Sequence, residues 1–140
     1  MRSYGRGKME NDKKSFIRWL LFIGWGAVIL WLSLSPAPLV IKTSFLGWDK
    51  FQHAVSYGIF TILAERVFSC FSAGKKKKWV KAVIAAVIFG GLMELAQMTL
   101  TETRTAEWGD LLADAFGAGF VYSAFMAAHI VLSPSPPPSE

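Results

Sequence analysis

From Phe16 to Leu34 the chain is apolar apart from Arg18, Ser33 and small glycines, about 19 residues that would make roughly 28 Å of helix. A run of that length and character fits the hydrocarbon of a bilayer better than any globular core. A cleaved signal peptide is the rival reading, but the run is long and Pro36 and Pro38 sit badly around the small-residue cleavage candidates. Three further stretches follow, from Trp48 to about Phe71, from Val80 to Leu100 and from Leu111 to Leu132. The second is interrupted by His53, Glu65 and Arg66, yet Glu65 and Arg66 lie roughly 24 to 26 Å along the axis from Asp49, where both charges can reach water. The expected architecture is an all-α four-helix transmembrane bundle.

Composition agrees. Hydrophobic residues make up 53% of the 140, charged residues only 18%, and mean hydropathy is +0.37. A net charge of +5 would suggest nucleic acid for a soluble protein. Here the basic residues cluster beside apolar spans, so no nucleic-acid partner is expected. Twelve of the fifteen Lys and Arg lie in residues 1–18 and 66–81, the others being Lys42, Lys50 and Arg104. The positive-inside bias then places the N-terminus, the C-terminus and the lysine loop in the cytoplasm, with the loops at 35–48 and 101–110 outside.

Three regions follow along the chain. Residues 1–15 hold Arg2, Arg6, Lys8, Lys13 and Lys14 and read as a flexible basic arm. Residues 16–132 form the membrane domain. Residues 133–140, Ser-Pro-Ser-Pro-Pro-Pro-Ser-Glu, read as a disordered solvated tail. Lys75–Lys78, with Lys81 close behind, reads as a basic hairpin that could also draw anionic lipid. Cys70 is alone, which excludes an internal disulfide, and its apolar surroundings suggest a buried thiol. Small residues at Gly109, Ala113 and Gly117, and at Ala86 and Gly90, would let the helices approach closely.

The chemistry concentrates at the outer end. Asp49, His53 and Tyr57 are spaced by four and share one helix face, with Lys50 beside them. Glu94, followed by Gln97 at i+3, lies about 9 Å below the end of its span at Leu100. A carboxylate at that depth costs on the order of 2.5 kcal/mol or more unless paired, which makes it a functional candidate. Asp110 and Asp114 open the fourth span, and Arg104 supplies a cation in the preceding loop. Three helices therefore bring polar groups to one depth. The competing reading is a buried charge network that serves only assembly.

The ordered set Asp49-Lys50-x-x-His53-x-x-x-Tyr57, Glu94-x-x-Gln97, Arg104, Asp110 and Gly117-Ala-Gly119, preceded by Leu32-Ser33-Leu34-Ser35-Pro36, resembles the VanZ-like family of small bacterial membrane proteins. The resemblance covers most of residues 30–120. It departs where the family commonly has Asn four after the Asp, a position held here by Asp114. The namesake is associated with resistance to the glycopeptide teicoplanin, so the resemblance implies a multi-pass protein of the bacterial inner membrane working in the cell envelope.

Three functions compete. In the first, an outward-facing pocket binds a polar or anionic group, such as a lipid head group or a lipid-linked wall precursor; Arg104 and Lys50 hold the anion while His53, Tyr57 and Gln97 hydrogen-bond it. In the second, a membrane enzyme uses His53 as general acid or base beside Glu94 and Asp114, with a divalent metal on the carboxylates. The third is a structural or partner-binding bundle. No serine elbow, HExxH, CxxC or P-loop is present to favour catalysis. Transport is disfavoured because the charges crowd one end.

Overall fold

The computed structural model describes residues 2–35, 48–72, 74–101 and 107–132, with side chains from Glu10 onward. The loop at 36–47, Arg104 and the proline-rich tail lie outside them. Four helices account for nearly all of the described chain: α1 (Arg2–Leu34), α2 (Trp48–Phe68), α3 (Lys75–Leu100) and α4 (Trp108–Leu132). The described residues contain no strand.

The chain is an all-α membrane bundle. Its outward surface is the apolar one: Ile84, Ile88, Leu92 and Leu95 on α3, and Leu112, Phe116 and Phe120 on α4, are all more than half exposed. These residues recur at three and four, a stripe of the kind that faces lipid. Glu10–Leu34, Lys75–Leu100 and Trp108–Leu132 are each long and apolar enough to cross a bilayer, and only 11–28% of their most apolar windows is buried. Helix α2 misses that hydropathy because of its charges, although its 21 residues reach roughly 31 Å.

Helices α2, α3 and α4 pack mutually, α2 and α4 most extensively, while α1 leans on α2 and α3. The contact with α1 is aromatic. Phe22 meets Phe60 at a centroid separation of 4.9 Å, and Phe60 stacks on Phe89 at 4.7 Å. Trp25 Nε1 donates to the carbonyl of Ser56 at 3.0 Å. The α2–α4 approach is closer still, because a Cβ on Gly117 would overlap the backbone carbonyl of Ala54.

Four sequence expectations change. The basic arm is helical from Arg2, and Glu10 pairs with Lys14 one turn on at 2.7 Å. The lysine run is no hairpin: the chain turns at Ser69–Phe71, Gly74 has φ 94, and the lysines form the first turn of α3. Cys70 is exposed, since α2 ends at Phe68 and leaves the thiol in that turn. Glu65 does not reach water; it is 4% exposed and accepts from Lys78 Nζ at 2.8 Å.

Candidate functional site

The polar layer forms where the first turns of α2 and α4 meet the last turns of α3. Because Asp49, Lys50, His53 and Tyr57 lie on one face of α2, that face is turned towards Asp110 and Asp114 of α4. His53 Nδ1 donates to Asp114 Oδ1 at 2.9 Å, and its Nε2 stands 3.8 Å from Asp110 Oδ2, beyond hydrogen-bond range. The imidazole is thereby oriented through one nitrogen while the other stays available, the arrangement used by general bases and metal ligands. Tyr57 lies parallel to the His53 ring, with centroids 6.4 Å apart.

Lys50 Nζ is held by Asp110 Oδ1 at 3.2 Å and by Glu107 Oε2 at 3.5 Å. Glu94 is buried and accepts the backbone N–H of Glu107 at 2.8 Å. One residue thus ties the end of α3 to the start of α4. Glu107 was not among the expected site residues; its place in the polar loop just before Trp108 was the available signal. Gln97 is drawn away from the centre, donating to the carbonyl of Ser33 at 3.3 Å and securing the end of α1. Arg104 lies outside the described residues.

Two buried polar atoms in this layer have no hydrogen-bond partner among the described residues: the Tyr57 hydroxyl and Asp114 Oδ2. Asp114 is 1% exposed, so bulk solvent does not reach Oδ2. Gly90 makes its room, since a Cβ there would stand 2.6 Å from Oδ2. An unpartnered buried oxygen costs about 1–3 kcal/mol, more when charged, and marks a place that a ligand would complete.

The ligating atoms of His53, Glu94 and Asp114 all lie within 4.8 Å of one another, and those of Asp49, His53 and Asp110 form a second such group. Imidazole with carboxylates suits a divalent first-row metal, and the orphaned Asp114 oxygen fits one. The described layer is acidic, with Asp49, Glu94, Glu107, Asp110 and Asp114 against Lys50 and His53. Lys50 is engaged by two of those carboxylates, so the expected anion contact is not prepared among the described residues. Comparison with protein-family models, curated proteins and solved structures finds no match to this chain.

Proposed function

We propose that the chain is a VanZ-like protein of the bacterial inner membrane whose outward-facing layer binds the polar head of a lipid or lipid-linked envelope precursor. The observation that carries this reading is the pair of buried unpartnered oxygens, Tyr57 Oη and Asp114 Oδ2, beside an oriented imidazole. Together with Glu94 these groups suit a hydroxyl or amide, which can donate to the carboxylates and accept from Tyr57. An anionic part of the same head falls to Arg104. A role in glycopeptide resistance belongs to this proposal through the resemblance alone.

The second reading is a metal-dependent membrane enzyme, favoured by the three-residue group His53, Glu94 and Asp114. A divalent ion there would supply Lewis acidity or an activated water. His53 Nε2 would serve as general base when no metal claims it. Mass analysis of lipid and metal on one purified preparation separates the two readings. A polar lipid retained by the wild type and absent from Asp114→Asn supports the head-group site; a stoichiometric divalent metal lost in that variant supports the enzyme. Neither species in either protein leaves the layer with assembly alone.

Both readings need the layer outside and both termini inside, the arrangement the basic residues favour. In a Cys70→Ser background, a cysteine at position 104 should react with a membrane-impermeant maleimide on intact spheroplasts. One at position 76 should react only after lysis. The reverse pattern inverts the topology and removes the proposed access to envelope precursors.

A further inference from the structure

The opposite end of the bundle holds a second polar set that takes no part in the outer layer. Between the last turns of α2 and α4 and the first turns of α3 lies a cavity of about 740 Å³. Its lining joins apolar Ile62, Val121 and Phe125 with basic Arg66, Lys75 and Lys78 and with His129, whose Nε2 meets Lys75 Nζ at 3.0 Å. The buried Glu65 in the wall is met by Lys78 at 2.8 Å, which takes up one of these cations. Arg66 Nε stands 3.8 Å from the same carboxylate and its side chain is 64% exposed, so it retains room to bind. Three cations against one carboxylate leave the lining with an excess of positive charge.

The start of α3 adds to that field. No side chain caps it and its first turn carries no acidic residue. The first-turn amides have no carbonyl one turn back, and the positive end of the helix dipole opens at Lys75. Trp79 gives the independent sign of a ligand: it lines the same cavity at 5% exposed, and its indole N–H has no acceptor among the described residues. A buried donor without an acceptor is uncompensated until an acceptor arrives. The basic rim and the orphan donor both call for an oxyanion.

We propose that this cavity binds an anionic phospholipid from the leaflet on the lysine-rich side. Arg66, Lys75 and the Trp79 indole take the phosphate, and an acyl chain lies along Ile62, Val121 and Phe125. The apolar wall selects a lipid over free phosphate. It runs out to Leu132, which lines the cavity and is 80% exposed on the last turn of α4, so a chain can enter from the bilayer.

The test is native mass spectrometry of the full chain in detergent with phosphatidylglycerol or phosphatidylcholine of identical acyl chains. Wild type should retain phosphatidylglycerol about tenfold more tightly, as expected for charge-assisted hydrogen bonds. The Arg66→Gln/Lys75→Gln pair and Trp79→Phe should each lose most of that preference. Lys76→Gln/Lys77→Gln, equal in charge but outside the cavity, should keep it. Equal retention of the two lipids, an equal loss in the Lys76/Lys77 pair, or displacement of phosphatidylglycerol by millimolar inorganic phosphate would overturn the proposal. Melting curves accompany each variant. If Trp79→Phe fails to fold, the Arg66/Lys75 pair on the exposed rim decides the question by itself.

Discussion

Gly117→Ala should lower the melting temperature by on the order of 10 °C, whereas Gly119→Ala should leave it unchanged or raise it slightly. The two glycines are two residues apart on α4 and differ in what a methyl group would meet. At Gly117 the new Cβ overlaps the backbone carbonyl of Ala54, and a backbone atom cannot swing aside as a flexible side chain can. Relief requires α2 and α4, the most extensively packed pair, to move apart. Overpacking of this kind costs about 1–3 kcal/mol, and the rigid partner places Gly117 at the upper end. At Gly119 nothing lies within 4 Å, so the gain is that of alanine over glycine in a helix, about 0.5–1 kcal/mol. Thermal unfolding of both variants in one detergent checks the contrast. Equal shifts would mean that the close approach at Ala54 does not hold the bundle together.

That approach was legible in the sequence because a spacing of four between small residues has one common physical meaning in a membrane helix. The polar layer was legible for a related reason: a period of four carries Asp49, His53 and Tyr57 to one face whatever the surroundings. What the layer does with Glu94 was not legible. Its partner is the backbone amide of Glu107, and amides carry no side-chain signature from which a pairing could be read. Gln97 shares a helix face with Glu94, yet it is taken by the carbonyl of Ser33 because α1 ends beside it. Spacing fixes a shared face and not a shared partner.

The lysine-rich end failed in the other direction. Hydropathy marks Lys75–Lys78 as outside the hydrocarbon, which invites a loop, but lysine is a good helix former and Gly74 supplies the turn just before it. That start brings Lys78 back over Glu65, burying a carboxylate whose place near the end of its span had suggested it would be solvated, while the end of α2 at Phe68 exposes Cys70. Two displaced helix boundaries therefore account for these departures. Boundaries set by charge and boundaries set by backbone geometry need not coincide.

His53→Gln and Glu94→Gln should abolish the activity of the outer layer while leaving the bundle inserted and folded. Each replacement keeps a hydrogen-bonding group near the right place, since glutamine at 94 still offers an oxygen to the Glu107 amide and glutamine at 53 can still donate to Asp114. What each removes is proton exchange, metal ligation or charge. A ligand held by such groups should bind about 10- to 100-fold more weakly, the range for losing one charge-assisted contact. Stability should change by no more than about 1 kcal/mol, because no cavity opens and no buried group loses its partner. A layer serving only assembly predicts the converse, as breaking a buried ionic network costs roughly 3–5 kcal/mol. Complementation of an envelope-stress or glycopeptide-sensitivity phenotype, scored with melting temperature and yield on the same variants, distinguishes the two. Full complementation by both would sink the functional reading of His53 and Glu94, and lost complementation with collapsed stability would leave assembly as their role.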